Sequence, residues 1–325
     1  MDELLKEEAK AFDLKIQERI NAGHIPDLRR VKTCHYFYNN VWREPLYVNL
    51  SIWPRFSFIL KHIKDQGVRI PRVLEIGCGA GFISLELARN GCNVTGIDIS
   101  KESIKVAKKF ANENPFKEGF GYLKYHIAKI FDFLKNIKNA FDTIVFYGIL
   151  HHFTFFELME LCPLMRGALK KDGIVVGYEP AYDRFNEPSA TILLILKKLL
   201  RNAGNFFEDT FIPDNEYELM AAIRNTLLSG KQITENLTKK QSIKDFSSGY
   251  ADIITALTFN FKTIAYENDH GFFELLVGGL RGKKKEIEKL ARFIDVVDKK
   301  LVEFGSIHPL SFRFAGKKRD SQQKK

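Results

Sequence analysis

The chain has 325 residues, of which 45% are hydrophobic, a composition that is ordinary for a globular protein. It contains no run of about 18 apolar residues that would predict a membrane-spanning helix. Its acidic N-terminus lacks a signal-peptide core, and its four cysteines show neither metal-ligand nor disulfide spacing, so we expect a cytoplasmic protein. The formal charge of +10 permits an anionic partner, but no stripe of arginines and aromatic residues gives a strong nucleic-acid signal.

The first predicted element is an amphipathic N-terminal helix. Its apolar side chains recur at helical spacing: Leu5, Ala9, Phe12, Ile16 and Ile20. An aromatic-rich segment follows at 36–47, and a helix over about 55–65 leads into the first strand. We therefore predict a helical and aromatic segment over residues 1–66.

Strands and helices then alternate over 67–179, which predicts a doubly wound α/β domain with a mostly parallel sheet. Strands are predicted at 72–76, 93–98, 122–128, 142–147 and 174–178. Ser100 has the residue type of an N-cap for a helix over 101–112. The turn 170–173 is predicted to end the helix before the fifth strand.

The alternation is lost over 180–247, which predicts a helical insertion above the sheet. Helices are expected from Pro188 to Arg201 and over 215–228. The segment 191–201 is apolar nearly all round and then basic. It predicts either a helix buried under the insertion or one that makes a weak contact with a membrane surface.

Residues 248–317 are predicted to complete the domain. They would supply a helix, a sixth strand at 261–267, a long amphipathic helix closed by Gly305, and a last strand at 310–315. The basic tail 318–325 is predicted to be disordered.

The most distinctive motif is a glycine-rich loop between the first predicted strand and the next helix. Its glycines stand at 77, 79 and 81. Gly77 and Gly79 permit backbone angles that other residues avoid and let the chain approach a ligand closely. Gly81 would let the following helix pack tightly on the strand. The spacing G-x-G-x-G differs from the G-x-G-x-x-G of nicotinamide enzymes.

Two acidic residues near this loop restrict the ligand. Glu75 would repel a pyrophosphate but tolerate a positively charged group. Asp98, at the end of the second predicted strand, suits the two hydroxyls of a ribose. Together they predict a site for an adenosine-containing cofactor that has no phosphate group.

Four motifs in this order resemble class I S-adenosylmethionine-dependent methyltransferases. Besides the glycine loop they are the segments 141–153, 169–179 and 311–317. The resemblance implies a Rossmann-like sheet of seven strands with an N-terminal helical segment and a helical insertion that caps the acceptor. It implies methyl transfer, with S-adenosylmethionine as cofactor and S-adenosylhomocysteine as product. It also implies the cofactor-binding residues, which would be Glu75, Gly77, Cys78, Gly79, Gly81, Asp98, Ile99 and Tyr147.

One position departs from the family pattern. The family usually has an acid after the third strand, near the adenine amino group, whereas Lys129 stands there in this chain. Either Asp132 takes that place or backbone and apolar contacts hold the adenine.

Candidate catalytic residues follow the fourth and fifth strands. His152 could act as a general base because histidine titrates near neutrality, or His151 and His152 could only shape the pocket. No metal is predicted at this pair, since adjacent histidines on an extended chain point apart. Glu179 is a second catalytic candidate and Tyr182 an acceptor contact, unless both lie in a surface loop.

The aromatic segment supplies further candidates for contact with the acceptor. Tyr36, Tyr38 and Trp42 could cover the methionine end and the acceptor, or pack in the core. Arg43 could meet an acidic group of the acceptor or form a surface ion pair. His151 and Tyr182 complete this set.

The resulting hypothesis is a methyltransferase that acts on an oxygen or nitrogen atom of a small-molecule, lipid-linked or natural-product-like acceptor by in-line displacement. The protein would mainly hold the nucleophile in line and exclude water. An RNA or protein methyltransferase is one alternative, although no Asn-Pro-Pro-Tyr-type motif follows the fourth strand. A cofactor-binding scaffold without catalysis is the other.

Overall fold

A computed structural model describes residues 2–34, 45–207, 213–228, 242, 244–245 and 247–319. Its centre is a seven-stranded sheet with the strand order β3-β2-β1-β4-β5-β7-β6. The strands are β1 (Arg72–Ile76), β2 (Asn93–Asp98), β3 (Leu123–Ile127), β4 (Phe141–Tyr147), β5 (Leu169–Pro180), β6 (Phe261–Asn268) and β7 (Ser311–Lys318).

The strands β1 to β5 pair in parallel, whereas β7 runs antiparallel to both β5 and β6. The predicted doubly wound, mostly parallel sheet is therefore confirmed. In such a sheet the carboxyl ends of the parallel strands meet at one edge, where ligands bind.

Eleven α-helices are described, besides short 3₁₀ and π turns. They are α1 (Asp2–Asn21), α2 (Pro45–Tyr47), α3 (Trp53–Asp65), α4 (Phe82–Arg89), α5 (Lys101–Asn112), α6 (Ile130–Lys135), α7 (Phe155–Ala168), α8 (Glu187–Asn202), α9 (Glu216–Leu228), α10 (Tyr250–Asn260) and α11 (Lys284–Glu303). The predicted N-terminal helix thus exists, and a π turn over 48–52 joins α2 to α3.

Two apolar cores lie on the two faces of the sheet because successive strand side chains point to opposite sides. Val73 of β1 belongs to the core that also contains side chains of α3, α4 and α11, whereas its neighbour Leu74 belongs to the core with side chains of α6, α7 and α10. Both side chains are fully buried. The burial of both faces explains why the central strands read as nearly continuous apolar runs.

Local signals in the sequence set several helix ends. The hydroxyl of Ser100 accepts a hydrogen bond from Ser103 N–H and caps α5, as predicted. Thr154 and Glu157 form a reciprocal capping box at the start of α7. Gly305 has a positive φ of 72° just after α11, which suits the predicted C-terminal cap.

The prediction that a turn at 170–173 separates the helix from the fifth strand is wrong. Strand β5 begins at Leu169, directly after α7, and Leu169 already pairs with Phe141 of β4. The extra residues before Ile174 form an irregularity in the register, with Asp172 at a φ of 65°. The turn residues are therefore absorbed as a bulge within the strand.

The insertion supplies α8 and α9. Helix α8 buries Ala190 and Leu193 in the core that contains Val73, and the side chain of Lys197 is also buried, while Ile195 and Leu199 are 44% and 60% exposed. One face of the helix is thus packed and the opposite face is open. None of the helices in the described part of the chain is both long and apolar enough to cross a membrane.

The end of the chain differs slightly from the prediction of a tail from 318. Lys318 is still part of β7 and donates to the carbonyl of Leu169 at 2.5 Å. Strand β7 ends at Lys318, three residues later than the predicted end at 315, because Lys318 pairs with Phe261 of β6. Residues 320–325 lie outside the described part.

Candidate functional site

A cavity of about 830 Å³ lies at the carboxyl ends of the five parallel strands. Its walls include Glu75 and Gly77 to Ala80 at the end of β1, Asp98 and Ile99 at β2, Lys129 to Asp132 after β3, Tyr147 to Ile149 at β4, and Tyr178 and Pro180 of β5. Helix α1 supplies a further wall, with Leu5, Glu8, Phe12, Lys15, Ile16 and Arg19.

The glycine loop bends tightly at the cavity wall. Gly77, Gly79 and Gly81 all have positive φ values, of 64°, 51° and 78°. A Cβ atom on Gly77 would stand 2.5 Å from the side chain of Ile149, whereas one on Gly79 would meet no atom within 4 Å. The missing side chain at Gly79 therefore leaves open space inside the cavity.

Two other loop residues play a structural part. Cys78 is buried in a small core with Tyr125, and its N–H donates to Ile97 O at 3.0 Å. Gly81 begins α4 and accepts the hydroxyl of Tyr125 at 3.1 Å. Cys78 lines the cavity at the loop, while Gly81 is absent from its lining.

Asp98 joins the two loops that border the cavity. Its Oδ2 accepts the N–H of Gly79 at 2.8 Å, and its Oδ1 accepts the N–H of Ser100 at 2.8 Å. Burial raises the pKa of this carboxyl, and the two backbone hydrogen bonds oppose that shift. The carboxylate is thus held at the end of β2, where it faces the cavity.

Glu75 is almost completely buried, at 2% exposure, and accepts the hydroxyl of Ser84. Burial raises the pKa of its carboxyl to about 8. Since ionising a buried acid without a cation nearby is costly, this position favours a ligand that brings positive charge.

Lys129 and Asp132, the two residues considered for the adenine end of the cofactor, both follow β3. Lys129 and Asp132 line the cavity, and the amine of Lys135 lies 3.5 Å from Asp132 Oδ1. The side chain of Asp132 is 63% exposed. Which of the two predicted modes holds an adenine stays a prediction.

His151 and His152 lie in a 3₁₀ turn after β4, with ring centroids 4.2 Å apart. The prediction that these rings point apart is wrong, because the chain is not extended here. The carboxylate of Glu179 bends it by accepting the N–H groups of Ile149 and Leu150, each at 2.8 Å.

Glu179 is fully buried and lies inside β5, where it pairs with Phe312 of β7. The alternative of a surface loop is therefore wrong for this residue, because β5 continues to Pro180. Its carboxylate stays outside the lining of the cavity. Besides the backbone of the turn, it contacts the ring of His151.

His151 lies between two carboxylates. Its Nδ1 is 2.9 Å from Glu179 Oε2, and its Nε2 is 3.3 Å from Asp245 Oδ1. Burial alone would lower the pKa of the ring, but the hydrogen bonds to Asp245 and Glu179 outweigh it and raise the pKa to about 9. His151 is therefore an imidazolium at neutral pH.

His152 has the opposite character. Burial and the adjacent charge of His151 lower its pKa, although the carboxylate of Glu8 acts against them. Its Nδ1 lies 3.1 Å from Glu8 Oε1, and Phe12 meets the ring edge-on at 5.4 Å between centroids. His152 is therefore a neutral imidazole at the cavity wall.

His151, His152 and Asp245 place one possible ligand atom each within 4.8 Å of one another. A metal ion requires such spacing, but both ring nitrogens of His151 already face carboxylates, which suits a proton better. That no metal binds here stays a prediction.

The structure brings most predicted site residues together. Glu75, Gly77, Cys78, Gly79, Asp98, Ile99, Tyr147, His151, His152 and Tyr182 all line the cavity. Tyr36, Tyr38, Trp42 and Arg43 lie outside the described residues.

Sequence reasoning missed two acids, Glu8 and Asp245. Glu8 follows Leu5 by three residues and precedes Phe12 by four, so it stands within the apolar stripe of α1. A carboxylate on the apolar face of a helix is unusual, and this feature could have marked Glu8 as a candidate site residue. Asp245 lies near the C-terminal end of the insertion, where no pattern marks it.

The described part of the insertion contributes less to the cavity than expected. Pro180 and Tyr182 line it at one end of the insertion and Lys244 and Asp245 at the other, whereas α8 and α9 contribute no lining residue. Among the described residues, α1 lines more of the cavity than these two helices.

Comparison with known proteins identifies the family. A family model described as "Methyltransferase domain" matches residues 71–247, which is more than half of the chain. The chain belongs to this methyltransferase family. The resemblance to methyltransferases seen in the sequence is thereby confirmed.

Curated relatives match about a third of the chain. A "Ubiquinone biosynthesis O-methyltransferase" of Actinobacillus pleuropneumoniae serotype 5b is 33% identical over 116 residues, which cover 34% of this chain and 47% of the relative. One of Xylella fastidiosa (strain 9a5c) is 37% identical over 98 residues, covering 30% and 37%. The chain thus matches less than half the length of these relatives.

Among solved structures, a putative sarcosine dimethylglycine methyltransferase from Galdieria sulphuraria is similar in fold. Its TM-score is 0.50 at 12% sequence identity, and the match covers 95% of this chain and 98% of the other. At this identity the likeness concerns the fold alone.

Proposed function

We propose that this protein transfers the methyl group of S-adenosylmethionine to a hydroxyl group of a small, largely apolar acceptor. The observation that carries the proposal is His152, a neutral imidazole on the wall of the cavity that the glycine loop also borders. A neutral imidazole can take the proton of a hydroxyl, whose oxygen is a poor nucleophile while protonated. The names of the curated relatives also favour oxygen as the acceptor atom.

The residues at the glycine loop fit this cofactor. Gly79 leaves space where any other residue would place a Cβ, directly beside Asp98. Asp98 would accept the ribose hydroxyls with the lone pairs that its backbone hydrogen bonds leave. Glu75 offers a carboxyl with a raised pKa, which a positive methionine end would draw into the ionised form.

When bound, the cofactor supplies a methyl group made electrophilic by a positively charged sulfur. The protein then has to align the acceptor, exclude water and remove one proton. Apolar side chains dominate the remaining walls of the cavity and would hold an acceptor of similar character; among them are Phe12, Ile16, Phe131, Phe153 and Phe156.

Proton removal falls to His152 in this proposal. Its Nε2 receives the hydroxyl proton as the acceptor oxygen attacks, while its Nδ1–H donates to Glu8. His151 is already an imidazolium and cannot serve as the base at neutral pH. Glu179 supports the turn that presents both rings and has a positioning role rather than a catalytic one.

Three earlier expectations remain part of this proposal. The acceptor could be lipid-linked, since Ile195 and Leu199 of α8 leave an apolar face open. Residues 191–201 would then provide the weak contact with a membrane surface. A cytoplasmic location is compatible with a lipid-linked acceptor and with a weak contact at the membrane surface.

The test is to incubate metabolite extract with the protein and S-adenosylmethionine labelled in its methyl group. We expect mass spectrometry to find the label in small compounds as a methyl ether, and to find far less of that product with the Asp98→Ala variant. Label that appears only in RNA or protein would contradict the proposal in favour of a macromolecular acceptor. Tight cofactor binding with no labelled product would favour a non-catalytic scaffold.

A further inference from the structure

Helix α1 brings a buried carboxylate to the catalytic side of the cavity. Glu8 is 3% exposed, in contrast to its exposed neighbour Glu7. Its carboxylate accepts the hydroxyl of Ser242 at 2.6 Å and the N–H of Lys244 at 3.1 Å, and lies 3.1 Å from His152 Nδ1. Burial alone would raise the pKa of Glu8, but these hydrogen bonds outweigh it and lower the pKa, so the group is an anion.

The same helix is fixed to the cofactor side of the cavity by a second acid. Asp13 Oδ1 accepts the hydroxyl of Ser100 at 2.6 Å and the N–H of Glu102 at 3.0 Å, at the start of α5. Ser100 in turn donates its own N–H to Asp98. Helix α1 therefore contacts His152 directly through Glu8, and it reaches Asp98 indirectly through the contact of Asp13 with Ser100.

We propose that α1 completes the active site, with Glu8 as the positioning residue of His152 and Asp13 as the contact that ties the helix to the cofactor loop. This inference rests on the proposed function, in which His152 is the base. It assigns to the N-terminal helix a part in the proton transfer that the glycine loop and the strand ends do not supply.

The chemistry requires a partner at Nδ1. A neutral imidazole carries one proton, and His152 can receive another at Nε2 only if the first sits on Nδ1. The carboxylate of Glu8 accepts that N–H and so selects the tautomer. It also stabilises the imidazolium that forms during transfer, as the acid does in serine-protease triads.

The other groups that face His152 do not replace Glu8. His151, from the same turn, is positive and disfavours a second imidazolium. Asp245 Oδ1 lies 3.9 Å from His152 Nε2 but only 3.3 Å from His151 Nε2, so its charge is shared. Ser242 lies 3.4 Å from Nδ1 and donates its hydroxyl to Glu8.

The test compares Glu8→Gln with Glu7→Gln, a matched change one residue away on the exposed face of the same helix. We expect Glu8→Gln to lower kcat by roughly 10- to 100-fold, within the range of general-base effects. The acid limb of the kcat/KM profile should move to lower pH, because Glu8 raises the pKa of His152. Glu8→Asp should restore part of the rate, and Glu7→Gln should behave as wild type.

Asp13→Asn separates the two contacts of the helix. It should raise the KM for S-adenosylmethionine and leave the acid limb in place, since Asp13 does not contact His152. If Glu8→Gln lowers the melting temperature but keeps kcat and the acid limb of wild type, the carboxylate is only structural and the inference is wrong.

A measurement that needs no acceptor molecule separates the role of Glu8 from the proposed function. Nitrogen-15 NMR of the histidine rings in the cofactor-bound protein should show His152 as the Nδ1–H tautomer, and a mixture of tautomers in Glu8→Gln. Equal tautomer populations in both proteins would overturn the role of Glu8. If the tautomer depends on Glu8 but the wild type methylates no hydroxyl, the proposed function fails and the contact stands.

Discussion

Single residues decide what the cavity can bind, and Asp98 and Glu75 do so in different ways. Asp98 is held by two backbone N–H groups and keeps lone pairs for a ligand. Glu75 is buried beside the hydroxyl of Ser84, and burial raises the pKa of its carboxyl to about 8. In the proposed site, Asp98 would accept the ribose hydroxyls and Glu75 would respond to the positive charge of the methionine end.

Asp98→Ala should weaken S-adenosylmethionine binding by roughly 10- to 100-fold, as expected for the loss of hydrogen bonds to a charged group. Isothermal calorimetry measures this directly. Asp65→Ala, which removes an exposed carboxylate at the end of α3, is the control and should bind as wild type. Equal affinity of Asp98→Ala and wild type would remove Asp98 from the cofactor site.

Glu75 should make cofactor binding depend on pH. Its pKa of about 8 means that the carboxyl is largely protonated at neutral pH without ligand. A positively charged cofactor prefers the carboxylate, so affinity should increase as the pH rises through about 8. Titrations from pH 6.5 to 9 should show this slope for wild type and a flatter one for Glu75→Gln; the same slope in both would contradict the assignment.

At the scale of elements, the glycine loop and the histidine turn show what the sequence could and could not predict. The ends of β1 and β2 were predicted to the residue, because buried strands, glycines and the Ser100 cap leave strong local signals. The sequence did not predict that the carboxylate of Glu179 holds the turn that contains His151. These two residues are 28 positions apart, and no local pattern connects them.

The N-terminal helix α1 could also be predicted only in part. Its amphipathic spacing predicted the helix, but not that its apolar face would line a cavity and carry Glu8 to His152. Long-range placement follows from packing against α5 and from the capping contact of Asp13, which only the fold reveals.

Replacing Gly77 or Gly79 by alanine should affect different properties of the protein, stability for Gly77 and cofactor affinity for Gly79. Both have positive φ, a strain that costs about 1–3 kcal/mol. Gly77→Ala adds a clash with Ile149 and should lower the melting temperature more. Gly79→Ala has room in the ligand-free protein but fills the cofactor space, so it should lose affinity instead. Thermal melts and calorimetry on both variants check this, and the reverse pattern would contradict the geometry.

At the scale of the whole molecule, two buried groups should make stability fall with rising pH. Both Glu75, at about 8, and His151, at about 9, have pKa values above their unfolded values, so the folded state holds their protons more tightly. Their contribution is complete below the unfolded pKa and is lost as the pH rises through the folded pKa.

For His151 the window is therefore about pH 6.5 to 9, and its full contribution is on the order of 3 kcal/mol. Thermal melts of the ligand-free protein should show a falling melting temperature across this window. His151→Gln should reduce the slope, with His126→Gln, an exposed histidine of β3, as the control. A melting temperature that rises over the same range would contradict the proposed charge states.

The rate of methyl transfer to a hydroxyl acceptor by His152→Ala under cofactor saturation decides whether His152 is the base. We expect this rate to be roughly 10² to 10⁴ times lower than that of wild type, with cofactor affinity unchanged by calorimetry. A rate equal to that of wild type would show that His152 is not the base.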